Sequence, residues 1–218
     1  GTINIITKEP TRNSASISHT LTSIGLSPAL HNTTDINASI VSDDNKLGLA
    51  VFGQNTSKDA WDANGDGFTE LSKISGQTIG FRGYIKTGLY SKLTLEYHHL
   101  EEFRRGGDNL DLPPHEVMIA EQTKHGINTG GLKYDWFSQN QKHRLNAFAS
   151  MQHINRESYY GAGMDPNAYG QTTDLTWVAG AQYVYKFTNC LFMPADLTVG
   201  LEYNEDYLKD NMWGYNRT

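Results

Sequence analysis

Residues 79–97 read Ile-Gly-Phe-Arg-Gly-Tyr-Ile-Lys-Thr-Gly-Leu-Tyr-Ser-Lys-Leu-Thr-Leu-Glu-Tyr. Ile79, Phe81 and Ile85 fall on one parity, and Arg82, Tyr84 and Lys86 on the other. After a turn at Thr87–Ser91, Leu93, Leu95 and Tyr97 resume the apolar parity. Successive side chains of a strand point to opposite faces, so the stretch predicts two antiparallel strands with one apolar and one polar side. A helix would need apolar residues three and four apart, which this segment does not supply.

The pattern continues in both directions. Upstream, residues 13–25 alternate around Ala15, Ile17, His19 and Leu21, and Ile36, Ala38 and Ile40 oppose Asp35, Asn37 and Ser39. Ser42-Asp43-Asp44-Asn45-Lys46 is a tight polar turn, after which Leu47, Leu49 and Val51 return. Downstream, Leu132, Tyr134 and Trp136 precede the turn Ser138-Gln139-Asn140-Gln141, and Leu145, Ala147, Ala149 and Met151 follow it. Trp177 to Phe187 and Leu197 to Tyr203 repeat the alternation, for about nine strands in all. Their connections alternate between short turns and longer polar loops at 26–33, 57–73, 104–116 and 158–173. Short on one side and long on the other is the rhythm of outer-membrane barrels. Aromatics near the turns (Tyr134, Trp136, Phe137, Tyr185, Phe187) suit a headgroup-level girdle. A soluble β-sandwich would use the same alternation. Strands of about ten residues and the short–long rhythm favour an all-β, partial transmembrane antiparallel β-barrel.

Composition agrees. The chain of 218 residues carries 21 glycines and 12 tyrosines but 6 prolines, which favours strands and turns over helices. Mean hydropathy is −0.54, as expected when only alternate strand residues are apolar. The net charge of −6, with scattered Lys and Arg, offers no basic stripe for nucleic acid. The single cysteine, Cys190, excludes an internal disulfide framework. No G-x-S-x-G, Walker loop or H-E-x-x-H is present, and Glu101 and Glu102 are adjacent on a strand and so face opposite ways. The expectation is a protein that is not an enzyme.

The opening Gly1-Thr2-Ile3-Asn4-Ile5-Ile6-Thr7-Lys8, placed directly before the alternating pattern, resembles the strand that closes the plug domain of TonB-dependent outer-membrane receptors. Residues 62–70, Arg104-Arg105-Gly106-Gly107-Asp108 and Tyr159-Tyr160-Gly161-Ala162-Gly163 are similar to the cobalamin-receptor-like branch found in Bacteroidetes. The resemblance implies residues 1–11 as the end of the plug domain and 12–218 as the N-terminal part of a barrel of about 22 strands. It implies active import of a scarce bulky nutrient, first a corrinoid (vitamin B12), with a siderophore or heme as alternative. The implied partners are the TonB–ExbB–ExbD system, acting through the missing plug N-terminus, a surface lipoprotein lid, and outer-membrane lipid. Arg82, Lys86, Gln152 and Glu202 would line the lumen. Gly1 is not preceded by Met, and no terminal strand follows at Thr218, so the chain is expected to be a fragment. A surface adhesion or glycan-binding β-protein is the reading from a different class.

Three groups of loop residues carry chemistry. Asp62, Asn64, Asp66 and Glu70, with Gly67 at the sixth position, follow the opening of a calcium loop, although Lys73 stands where a bidentate Glu would close it. Asp108 and Asp111 in the next loop would complete a Ca2+ site, and a solvated acidic turn is the alternative. Arg104 and Arg105 either face an anionic ligand or pack against Glu101, Glu102 or Asp108. Tyr159, Tyr160 and Tyr169 suit contact with a large planar or carbohydrate ligand, or stiffen their loop. The histidines (His98 and His99, then His125, His143 and His153) lack metal-ligand spacing.

Overall fold

The computed structural model describes residues 9–25 and 27–213. The segment Gly1–Lys8, read above as a plug strand, lies outside the described residues. Nine strands form one antiparallel sheet in sequence order. They are β1 (Ser14–Ser23), β2 (Leu30–Val41), β3 (Leu47–Lys58), β4 (Lys73–Gly88), β5 (Ser91–Gly107), β6 (Ile119–Phe137), β7 (His143–Ala162), β8 (Tyr169–Cys190) and β9 (Met193–Met212). Every strand pairs with its sequence neighbour, and among the described residues β1 and β9 do not meet, so the sheet is open. No second sheet covers either face among the described residues.

The strands are longer than the alternation alone delimits, rising from 10 residues in β1 to 22 in β8. Backbone amides that the sequence reading left in loops are paired in ladders, and the long connections shrink to 24–29, 59–72, 108–118 and 163–168. The reason is that polar residues alternate with polar residues near the loop edge. Strand pairing there proceeds without the hydropathy contrast that reveals it in a sequence.

Register keeps the two faces separate across the sheet. One transverse row runs Leu47, Ile85, Leu93, Tyr134, Ala147, Ala181 and Leu201 through successive Cα partners. A one-residue slip at any hairpin would move that strand's apolar set to the polar side. On the apolar face Ile17, Ile79 and Leu201 are exposed to 73%, 63% and 75%, which is the reverse of a globular core. The opposite face is laced by short polar contacts. Gln54 donates to Asp35 at 2.7 Å, Asn146 to Asp135 at 2.7 Å, and Arg82 pairs with Glu96 at 3.1 Å. Ahead of β1, Glu9 turns onto this polar face and meets Lys92 at 2.6 Å.

Glycine has a specific use on the polar face. The ring of Phe52 lies where a Cβ on Gly80 would stand, and the ring of Tyr84 does the same over Gly48. Each ring lies flat across a neighbouring strand because that strand has no side chain at the crossing. The short turns are also built alike. Ser42 and Ser138 each accept backbone N–H groups across the turn, from Leu47 at 3.0 Å and from His143 at 3.0 Å. Asp44 and Asn140 each accept the amide of the fifth turn residue, Lys46 and Lys142. Asn45 and Gln141, in the fourth position, both adopt left-handed backbone at φ 54° and 55°. Hydrogen bonds from Ser42 and Lys46 lower the Asp44 carboxyl to about 2.

Two substitutions of opposite sign test this account by denaturant unfolding. Gly80→Ala should destabilise by about 1–3 kcal/mol through overlap with Phe52 and the β5 backbone. Gln141→Gly should stabilise by up to ~1 kcal/mol by relieving the left-handed conformation.

Candidate functional site at the loop edge

Each long loop is tied to the next. In the 59–72 loop, Asp59 exchanges hydrogen bonds with Leu30, and the Trp61 ring lies against Gly25 in the 24–29 loop. Phe68 bridges Asp108, and the Thr69 amide donates to the Gly107 carbonyl at 3.1 Å, joining the 59–72 and 108–118 loops. The Gly163 amide then donates to the Met118 carbonyl at 2.7 Å, and the ring of His115 meets the Tyr169 hydroxyl at 2.7 Å. The loop edge is therefore one connected rim.

Within it, residues 62–70 fold around the Asp62 carboxylate. It accepts the amides of Gly65 at 2.7 Å and Gly67 at 2.8 Å. Gly65 and Gly67 have φ of 75° and 86°, a backbone that only glycine takes without strain, so the Gly content of the motif is conformational. Asp66 accepts the Phe68 amide at 2.8 Å, and Glu70 reaches back to the Ala63 amide at 2.6 Å. Oxygens of Asp62, Asp66 and Glu70 all lie within 4.8 Å of one another. The backbone hydrogen bonds, that from Gly67 foremost, hold the Asp62 carboxyl below its ordinary range.

The expected six-residue donor set is thus gathered in part. Asn64 stays with the group, donating to Asp66 at 3.0 Å. Asp108 directs both oxygens to the amides that open β6, Met118 at 3.3 Å and Ile119 at 3.0 Å. Asp111 stands exposed on the neighbouring loop outside the group. The donors that converge are all oxygen, the chemistry of Ca2+ or Mg2+ rather than of a thiol- or imidazole-seeking metal. Lys73, at the twelfth position, is already in β4 and supplies no ligand.

The two arginines and three tyrosines divide by face. They lie on β5, β7 and β8 and not in loops, because those strands extend beyond their alternating segments. Neighbours on a strand point opposite ways. Arg105, Tyr159 and Tyr169 share one row on the apolar side, under the 108–118 loop. Arg105 is 3% exposed and donates to the carbonyls of Gly106 at 2.8 Å and Leu112 at 3.4 Å. Tyr159 is fully buried, packs with Val117 and Ala120, and donates its hydroxyl to the Asp165 carbonyl at 3.0 Å. These three residues anchor loops. The sequence assigns them to loops together with Arg104 and Tyr160 because the strand ends there are polar on both faces, which hides the parity that separates them.

Arg104 and Tyr160 fall on the polar face instead. They line a cavity of about 350 Å³ with Glu102, Glu121, Gln122, Thr123 and His125. Arg104 is paired to Glu102 at 2.7 Å, and Ser72 donates to Glu121 at 2.7 Å. Glu102, Glu121 and His125 went unread as a set. The signal was available: they share a face in the β5–β6 register, but that register was invisible without the loop boundaries. Comparison with family models, curated proteins and solved structures finds no match to this chain.

The division by face predicts unequal costs in denaturant unfolding. Arg105→Ala should cost about 1–3 kcal/mol by leaving buried carbonyls unpaired, whereas Arg104→Ala should cost less than about 1 kcal/mol, as expected of an exposed pair. The Asp62 carboxyl adds a pH test. Its depressed pKa stabilises the loop above the ordinary carboxylate range, and that contribution is lost as pH falls through the folded value. Protection factors of the Gly65 and Gly67 amides in hydrogen exchange should therefore hold at neutral pH and decline below about pH 4, and Asp62→Ala should abolish them at every pH.

Proposed function

We propose that this chain is part of the wall of an outer-membrane β-barrel transporter of the TonB-dependent kind. The carrying observation is the single-layer sheet: a continuous exposed apolar band on one face, a polar, ion-paired opposite face, short turns at one edge and linked loops at the other. Leu47–Gly53 and Ile79–Ile85 hold the band for roughly 20 Å along the strand, about 15 Å of height at a tilt near 40°, the greater part of the apolar band of an outer-membrane barrel. In an aqueous protein that surface would require a second layer. Lipid supplies the partner, and the ladders satisfy the backbone that lipid cannot.

In this reading Arg82, Lys86, Gln152 and Glu202, which share the polar face, line the lumen. Glu9, reaching Lys92 and Arg82 on that face, supports entry of the chain from the lumenal side, where a plug would sit. The outer membrane of a Gram-negative cell is the location, with force supplied by TonB–ExbB–ExbD through the plug and a surface lipoprotein as lid. Binding and passage are non-covalent, so no catalytic residue is assigned. The cargo proposed is a corrinoid, on the resemblance of the rim motifs, with siderophore or heme next. Asp62, Asp66 and Glu70, with Asn64 beside them, hold Ca2+ that stiffens the rim, and Glu102, Arg104 and Tyr160 present the ligand-facing chemistry.

Labelled cyanocobalamin binding to outer membranes carrying the complete protein tests the reading. Chelation by EDTA should weaken binding by about tenfold or more, about 1.4 kcal/mol, and added calcium should restore it. Asp62→Asn should reproduce the chelated state without EDTA. Binding of siderophore or heme in place of cyanocobalamin would discard the corrinoid. A complete protein that folds without detergent and stays out of the membrane fraction would discard the transporter.

A further inference from the structure

We propose that the loop-edge end of the polar face admits electrically neutral or cationic solutes and turns anions away, so that the ligand taken there is neutral and rich in hydrogen-bonding groups, not an anionic chelate. That the solute is a transported one rests on the transporter reading above; the charge of the surface does not.

The cavity presents two carboxylates, Glu102 and Glu121, against one guanidinium, Arg104. Arg104 is already matched by Glu102, with Nε at 2.7 Å and Nη2 at 3.3 Å. The Ser72 hydroxyl donates to Glu121 at 2.7 Å, which orients that carboxylate without neutralising it. Arg156, the register partner of His125, stands at the cavity's flank, and beyond it on the same face lie three more carboxylates, Asp174, Asp206 and Asp210. Arg156 donates to Thr172 at 2.9 Å, and Thr172 donates to Asp210 at 2.6 Å. In the 59–72 loop, whose Ser72 reaches Glu121, Asp62, Asp66 and Glu70 keep a net negative charge even around one divalent cation.

An anionic ligand would have to draw Arg104 from Glu102 while facing Glu121 at close range, and like charges in a walled cleft repel more strongly than in open water. A neutral ligand meets no such conflict. Its amide or hydroxyl hydrogens can donate to Glu121 and Glu102, and its carbonyl oxygens can accept from the guanidinium N–H groups that Glu102 leaves free. The Tyr160 ring, 57% exposed, offers an apolar surface beside them.

Thiol-reagent kinetics read the local potential without any ligand. In the complete protein in neutral detergent, with Cys190→Ser as background, Tyr160→Cys is compared with Gln139→Cys at a short turn. Each is treated with methanethiosulfonates bearing a trimethylammonium or a sulfonate group. At low salt the cationic-to-anionic rate ratio should be about tenfold or more higher for Tyr160→Cys. It should fall at high salt and on adding Glu121→Gln. A ratio equal to that of Gln139→Cys, or one favouring sulfonate, overturns the proposal. In a second arm, cyanocobalamin should bind about tenfold more tightly than its monocarboxylate, in which one side-chain amide is hydrolysed, with the gap narrowing in Glu121→Gln. A monocarboxylate that binds equally well also overturns it. If cyanocobalamin does not bind while the reagent ratio stands, the corrinoid reading falls and the charge selection is upheld.

Discussion

Every strand in this sheet finds its hydrogen-bond partners in the strands immediately before and after it in the chain, and the rest of the structure depends on that constraint. With neighbours fixed by sequence order, hairpin turns set the register, and the register decides which residues share a face. Two hairpins solve the register problem with the same parts, a serine accepting across the turn and a left-handed residue in the fourth position. Once those turns are closed, rows such as Leu47, Ile85 and Leu93 line up without further instruction. The separation of an apolar from a polar face is thus a product of local turn chemistry acting along ladders up to 19 pairs long.

The rim follows from the same ladders carried past the point where hydropathy alternates. Long strands bring the loop ends close enough for each loop to bond to the next, through Trp61 on Gly25, Thr69 on Gly107 and His115 on Tyr169. Side chains just below the rim are sorted by parity. Arg105 and Tyr159 are consumed in holding loops, which leaves Arg104 and Tyr160 facing the cavity. Adjacent residues with the same chemistry therefore have unrelated roles.

Much of this was legible in the sequence. The nine strands, the short turns and the assignment of Arg82 and Gln152 to the polar side follow from period-2 alternation, because half-buried or lipid-like surfaces impose it. Asp62, Asp66 and Glu70 lie together because their spacing is short and glycine-punctuated, so local backbone geometry alone suffices to gather them. Asp108 turns its carboxylate to the amides of Met118 and Ile119, a contact that depends on where β6 begins and so leaves no trace in the sequence. Tyr159 and Tyr160 were read as one loop patch for a related reason. Near the rim both faces are polar, so the strand boundary leaves no hydropathy trace, and parity cannot be applied until the boundary is known.

The lengthening of the strands across the sheet has a consequence for how such a surface meets its surroundings. At about 3.3 Å per residue the 22 residues of β8 extend roughly 70 Å, while the 10 residues of β1 extend less than half as far. The sheet is a slanted parapet, low at β1 and tall at β8 and β9. The long strands carry ladder pairs well past the apolar rows, into a stretch such as Gly170–Thr176 where most residues are polar. A single architectural gradient thus divides the loop edge into a flank raised on long ladders and a flank seated close to the apolar rows.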